Sequence, residues 1–217
     1  MIIAIDGPAA TGKSTSAKIV AEILGFTYLD TGAMYRCVTL AMINNGISIY
    51  DEELINNLLN DLTINLVNKD GSIHILMNDI DVSNEIRSVE VTENVSAVSA
   101  LKIVRESMVK IQREIASTTN CVIEGRDIGT VVFPNADFKF FLTGDSKVRA
   151  LRRQKDLELI GELKSLEDLE KDIIRRDEYD STRVISPLKK AEDAIEIETT
   201  DLTLDGQVSK IIEIVNT

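Results

Sequence analysis

The sequence predicts a three-layer α/β fold built on a parallel sheet, and three observations carry the prediction. Short apolar runs alternate with helical patterns along most of the chain. The first apolar run passes through a glycine-rich turn straight into a helix. Marked polar residues gather in the segments that follow the strands, which in parallel α/β sheets converge on one crevice.

Each element can be justified in order. Ile2, Ile3, Ala4 and Ile5 form a continuous apolar run, the mark of a strand buried on both faces. Ala17, Ile19, Val20, Ile23 and Leu24 follow helical spacing over 13–24, and Gly25 can end that helix. A short strand over 27–29 delivers "DTGAMYR", which on its own reads as a loop leading into a helix over 35–45 closed by Gly46. A second short helix is expected over 51–60. Alternating segments at 62–67 and 72–77 flank "NKDG" and predict a hairpin, and "NDIDVSNEIRS" supplies a third strand and an edge. Residues 62–88 thus form a small antiparallel insert in a βα pattern. One or two helices follow over 90–117, with Val104, Met108, Ile111 and Ile115 on one face. Buried strands at 121–123 and 138–142 are joined by a loop holding Gly125, Arg126, Asp127 and Gly129. A basic helix over 147–159 is broken by Gly161 and resumes over 166–176. A loop rich in Asp and Arg, a last strand at 194–197 and a closing helix over 207–215 complete the chain, with no repeat, low-complexity run or linker.

Bulk properties exclude several classes. The chain has 217 residues, 44% hydrophobic and 28% charged, which suits one sizeable globular core. The apolar opening from Met1 to Ile5 is stopped by Asp6, too early for a signal peptide or a membrane span. Two cysteines, Cys37 and Cys121, make neither a disulfide framework nor a metal cluster; they read as buried thiols of a cytoplasmic protein. A net charge of -12 argues against a coat for nucleic acid and requires that any anion site concentrate positive charge locally. The single histidine, His74, falls on the outer face of a predicted strand, so histidine-based triads and metal sites are not expected.

Chemistry enters at Gly7–Ser14, which fits G-x-x-x-x-G-K-[ST] between a strand and a helix. Glycines let backbone N–H groups turn inward around phosphates, and the helix N-terminus adds its dipole. Lys13 would reach the outer phosphates, and Ser14 would bind Mg²⁺. A guanine-reading N-K-x-D is absent, since "NKDG" has its aspartate one place early and sits in the hairpin turn. Three further segments are pooled with this loop: Asp30–Arg36, Gly125–Thr130 and Arg175–Arg183. Arg36, Arg126, Arg176 and Arg183 would make a second anion site, because the guanidinium fork matches phosphate oxygens two at a time. Two anion sites suggest a kinase whose acceptor is itself a phosphate, for which no general base is needed.

The chain resembles the bacterial cytidylate kinases of the nucleoside monophosphate kinase superfamily over essentially its full length. The matching landmarks are "IDGPAATGKST", "LDTGAMYR", "DVSNEIRS", "IEGRDIGTVVFP" and "RRDEYDSTR...SPL". The resemblance implies a P-loop kinase fold of one domain: core (1–40, 89–146, 177–217), monophosphate-binding insert (about 41–88) and helical lid (about 147–176). It implies ATP as donor, CMP or dCMP as acceptor, and CDP or dCDP plus ADP as products. Gly7, Pro8, Ala9, Ala10, Thr11, Gly12, Lys13, Ser14 and Thr15 would hold ATP with Mg²⁺, and Arg149, Arg152 and Arg153 of the lid would meet ATP or the moving phosphoryl group. Arg36, Arg126 and Arg183 would hold the acceptor phosphate. Tyr35, Arg176 and Asp180 would contact the ribose, and Thr31, Ser96, Arg105 and Asp127 would surround the base. Thr31 stands where the family often has serine, and either supplies a hydroxyl. Lys13, Arg126 and Arg183 would carry the transfer itself.

A carboxylate at Asp127 would accept from the cytosine amino group and meet the uracil carbonyl acceptor to acceptor, a difference of ~1–3 kcal/mol per contact. Two alternatives stand beside this reading. One is a P-loop kinase of another acceptor, such as UMP, AMP, shikimate or a coenzyme A precursor. The other is a nucleotide-binding regulator without turnover. A monomer acting on small molecules, with no nucleic acid and no membrane partner, is expected.

Overall fold

The computed structural model describes residues 1–69, 72–159 and 161–217. Its strands are β1 (Ile2–Asp6), β2 (Thr27–Asp30), β3 (Ile64–Lys69), β4 (Ser72–Met77), β5 (Ile80–Asp81), β6 (Cys121–Gly125), β7 (Phe138–Thr143) and β8 (Ile195–Glu198). Its α-helices are α1 (Lys13–Leu24), α2 (Thr31–Asn44), α3 (Glu52–Asp61), α4 (Val89–Ala100), α5 (Lys102–Ala116), α6 (Ser146–Leu159), α7 (Leu166–Thr182) and α8 (Leu204–Val215). The chain divides into two compact units, one formed by Met1–Tyr28 with Ala116–Thr217 and the other by Leu29–Ile115.

The expected parallel sheet is present, with strand order β2-β6-β1-β7-β8. β1 pairs in parallel with β6 on one side and β7 on the other, and β7 pairs in parallel with β8. The apolar runs read from the sequence are the reason. Ile3, Ile5, Val122, Phe140, Leu142 and Ile197 meet Ala17, Val20 and Ala21 of α1 and Val208 and Ile211 of α8 in one core. Each large aliphatic side chain buried there contributes about 1.5–3 kcal/mol, and truncating Phe140 to alanine would cost ~3–5 kcal/mol. Because β1 is central, connections leave it in both directions. Its carboxyl end is therefore a topological switch point, where α/β sheets bind ligands. In the register Asp6 stands opposite Gly125, so the turns after β1 and β6 emerge side by side. A second cluster joins α6 and α7 through Ala150, Leu157, Leu169 and Ile173.

The other unit contains the small antiparallel sheet, in order β3-β4-β5. The β3–β4 hairpin pairs Val67 with His74, while the Asp70–Gly71 half of the expected turn lies outside the described residues. α2 packs against α4 and against the single 3₁₀ turn at Glu85–Arg87. The helical stretch expected over 90–117 is two helices, split where Leu101 adopts an extended conformation.

Two expectations need correction. "DTGAMYR" is not a loop: Asp30 caps α2 by accepting from the Ala33 N–H at 2.8 Å, so the helix already begins at Thr31. Thr31 and Gly32 therefore do not turn the chain, because an aspartate N-cap outweighs the Thr-Gly turn signal. The Asp177–Thr182 stretch, expected in the loop after a helix ending at Arg176, is not a loop either, since α7 runs through it to Thr182 and Arg183 is the C-cap. The short polar residues that suggested a loop are held in the helix, Thr182 Oγ1 donating to the Glu178 carbonyl at 2.8 Å. Both cysteines are free and fully buried, as expected, and burial pushes the Cys37 thiol up to about 12. No helix among the described residues is long and apolar enough to cross a membrane.

Candidate active site

The turn after β1 has the shape its glycines permit. Gly7 has φ 147, and a Cβ there would lie 2.2 Å from the Leu142 carbonyl oxygen, so only glycine fits beneath the loop. Gly12, at φ 93, starts α1 without a side-chain cap, which leaves the first N–H groups of the helix open to an anion. Lys13 folds back over the loop and donates from Nζ to the Pro8 carbonyl at 2.6 Å. The loop tip is gripped by α6 and α7. The Ala9 N–H donates to Asp177 Oδ1 at 3.2 Å, and Arg149 Nη1 donates to the Ala9 carbonyl at 3.0 Å and to Asp177 Oδ2 at 2.6 Å. Ala10, at φ 59, packs against the apolar cluster between the two helices.

The turn after β6 is pinned from below. Asp6, 4% exposed, accepts from the Ile128 N–H at 2.9 Å and from the Gly129 N–H at 2.7 Å. Residues Ile128–Val132 then form one wide turn of i→i+5 bonds, Phe133 N–H donating to the Ile128 carbonyl at 2.7 Å. Arg126 and Asp127 sit just before that turn. Arg126 Nε donates to Asp180 Oδ2 at 3.0 Å. Arg183, its side chain nearly buried, stands 3.9 Å from Asp180 Oδ1 and 3.8 Å from Asp127 Oδ1, and donates from Nε to the Ser186 carbonyl at 2.7 Å.

The electrostatics show what this grouping lacks. Desolvation lowers the Lys13 ammonium to about 7, the charges of Arg126 and Arg176 push the same way, and Glu124 and Asp6 oppose them. Arg176 is lowered to about 10 by desolvation, then by Arg126 and Arg153, against Asp180 and Asp177. Arg126 and Arg176 thus oppose the charge on Lys13, and Arg126 and Arg153 oppose that on Arg176, and a bound polyanion would favour the charged form of both. Asp6 is raised to about 6, because burial outweighs the two N–H bonds that favour its charged form.

In the second unit, α2 presents Thr31, Tyr35 and Arg36. Thr31 and Tyr35 are both buried, one helical turn apart. The Arg105 guanidinium of α5 lies over the Tyr35 ring, 5.3 Å from its centroid, and donates to the Ser99 carbonyl at 3.2 Å. Arg36 Nη1 donates to the Ile86 carbonyl at 3.0 Å and to Thr92 Oγ1 at 2.9 Å. Ser96 is half-buried on α4, and its carbonyl accepts from Ser99 Oγ at 3.1 Å.

Residues 3–217 match the family model described as Cytidylate kinase. The chain belongs to the cytidylate kinase family. A cytidylate kinase of Lactobacillus johnsonii is 51% identical over 99% of this chain and 94% of its own. Cytidylate kinases of Halalkalibacterium halodurans and Carboxydothermus hydrogenoformans are 50% and 48% identical, over 98% and 99% of this chain and 96% and 97% of theirs. Among solved structures, a shikimate kinase from Bacteroides thetaiotaomicron superposes with a TM-score of 0.52 at 15% identity, covering 100% of this chain and 99% of that one. The fold is accordingly that of the P-loop kinases, with its parallel five-stranded sheet.

Within this cytidylate kinase fold the sequence-derived residues fall into two sets. The first unit brings together Lys13, Arg126, Asp127, Arg153, Arg176, Asp180 and Arg183; the second holds Thr31, Tyr35, Arg36, Ser96 and Arg105. Arg149 is engaged by the loop backbone and Asp177, and Arg152 reaches the end of β8, donating to Thr199 Oγ1 at 3.0 Å. His74, on the small sheet, pairs through Nδ1 with Asp81 at 2.6 Å.

Four residues of the site escaped sequence reasoning. Asp6 had the signal of a lone acid ending an apolar strand. Glu124, the next-to-last residue of β6, is buried, accepts from the Tyr28 hydroxyl at 2.7 Å and supports the charge on Lys13. Asp177 lay hidden in an acidic run, and Gln207, fully enclosed on α8, accepts from Ser16 Oγ at 3.0 Å behind the phosphate loop.

Proposed function

We propose that this chain transfers the γ-phosphoryl group of ATP to CMP or dCMP, giving ADP and CDP or dCDP. The observation that carries the reading is a buried Lys13 at an open helix N-terminus, with the charges of Arg126 and Arg176 bearing on it, in a chain whose net charge is -12. Such a site is unfavourable until phosphates enter it. ATP phosphates take the loop N–H groups and draw Lys13 away from the Pro8 carbonyl. The acceptor phosphate is held by Arg126 and Arg183 with Arg36. These same guanidinium groups neutralise the charge that develops as the phosphoryl group moves. The acceptor oxygen is already ionised at neutral pH, so no side chain need take a proton. Tyr35, Arg176 and Asp180 meet the ribose, and Thr31, Ser96, Arg105 and Asp127 meet the base, Asp127 accepting from the cytosine amino group.

Mg²⁺ fits the donors present. The Ser14 side chain is exposed at the start of α1 and makes no hydrogen bond among the described residues. No group of three or more His, Cys, Asp or Glu among the described residues could cage a metal. That suits an ion bound by one protein hydroxyl, substrate phosphates and water. The ion would supply charge neutralisation to the bound phosphates, with Ser14 as its protein ligand. In this reading the enzyme is a cytoplasmic monomer, and the helical stretch of about 147–176 is its lid.

The test is ADP release from Mg²⁺-ATP in a coupled assay with CMP, dCMP, UMP, AMP and GMP as separate acceptors. Turnover dominated by CMP and dCMP is expected. Preference for UMP or AMP would overturn the base assignment, and ATP binding without turnover on any acceptor would overturn the reaction.

A further inference from the structure

Asp6 joins the two working turns. It is the last residue of β1, directly before Gly7 of the phosphate loop. Its two carboxylate oxygens take one N–H each from Ile128 and Gly129, immediately after Arg126 and Asp127. The turn is shaped to be held this way. A Cβ on Gly129 would meet the Lys139 stem at 3.2 Å and lie 3.5 Å from Asp6 Oδ2. Lys139 is itself fixed, donating from Nζ to the Asp193 carboxylate at 2.7 Å. Burial raises the Asp6 carboxyl above an ordinary aspartate, so keeping it ionised at neutral pH costs folding free energy.

We propose that Asp6 is a positioning residue that sets the turn bearing Arg126 and Asp127 in register with the phosphate loop, without itself touching either substrate. The inference rests on the reading above that Arg126 and Asp127 meet the acceptor. In-line transfer needs donor and acceptor held within a fraction of an ångström of a productive geometry, and a misplacement of 1 Å can cost ~100-fold. Asp6 supplies that register by a covalent link on one side and two charge-assisted hydrogen bonds on the other.

Asp6→Asn is the discriminating variant, because it keeps the shape but aims one NH₂ at a backbone N–H. A hydrogen bond to a charged group is worth about 1.5–3 kcal/mol, so roughly a tenfold loss or more is expected in kcat/KM for CMP. The CMP-to-UMP preference should narrow, and amide exchange over 126–132 should quicken. The Kd of Mg²⁺-ATP without acceptor should move far less than kcat/KM for CMP. Gly129→Ala, which presses on the same turn from the other side, should show the same split. Unchanged exchange, or CMP turnover and ATP affinity falling together, would overturn the inference and leave Asp6 a structural residue. Asp127→Asn, run alongside, separates the two readings: if it narrows the CMP preference and Asp6→Asn does not, the Asp6 inference fails alone. A wild-type chain that does not phosphorylate CMP overturns the proposed function and this inference with it, whatever the exchange shows.

Discussion

Asp180 offers the sharpest test of the arginine cluster, because its removal can be followed without any turnover. It is 3% exposed and stands 3.0 Å from Arg126 Nε and 3.9 Å from Arg183 Nη1. At an effective dielectric of ~20 these contacts are worth roughly 5.5 and 4 kcal/mol of attraction. Much of that is offset by the desolvation of the three groups. What survives is the cost of leaving charges buried without their partner, about 3–5 kcal/mol when one member of a buried pair is deleted. Asp180→Ala should therefore lower the melting temperature by roughly 6–20 °C, taking ~2–4 °C per kcal/mol for a chain of this size. The assay is thermal unfolding at neutral pH, with and without inorganic phosphate. Phosphate should stabilise the variant more than the wild type, because the substitution removes a negative charge from beside two arginines. An unchanged melting temperature, or equal phosphate shifts in both proteins, would refute the reasoning and mean that Arg126 and Arg183 do not depend on Asp180 for their charge.

Other expectations follow from the same geometry. Arg36→Ala should raise KM for CMP and lower kcat together; steady-state kinetics that match the wild type would remove Arg36 from the acceptor site. Asp127→Asn should weaken the preference for CMP over UMP by about tenfold, from a contact worth ~1–3 kcal/mol, and an unchanged ratio would place base reading elsewhere. Lys13 binds its proton weakly in the free protein, at about 7 against 10.5 for an ordinary lysine. Phosphates restore that proton, so Mg²⁺-ATP binding at pH 8 should take up a proton, and uptake should shrink as pH falls below 7. The sign for folding is likewise fixed. The unfolded lysine holds its proton between about 7 and 10.5, so the Lys13 contribution to stability rises with pH across that window. Calorimetry in buffers of different ionisation enthalpy measures the uptake, and none at pH 8 would mean that Lys13 is charged before ATP arrives.

The sequence was most legible where one physical pattern acted alone. The apolar run of β1, the helical spacing of α1 and the glycines of the phosphate loop each left a single reading, and the structure agrees with all three. Legibility failed where polar residues served helices. Asp30 reads as a loop residue until its bond to the Ala33 N–H is seen, and Asp177–Thr182 reads as a loop because short acidic and hydroxyl residues resemble turn chemistry. The cations of the site could be nominated because arginine followed each predicted strand or turn. The residues that brace the loops from behind could not. Asp6, Asp177 and Gln207 act through contacts with residues more than 100 positions away, and no local pattern marks them.

The grip of Arg149 and Asp177 on the Ala9 peptide bears on how portable this enzyme's parts are. A helical pair that holds the nucleotide loop by its backbone cannot be exchanged as a neutral module. A chimaera that imported α6 and α7 from a relative without both an arginine and an aspartate at these places would leave the loop tip without its clamp, even if every residue of the loop were kept. Recombination between members of the family should therefore tolerate crossovers after Asp177 far better than crossovers between Arg149 and Asp177.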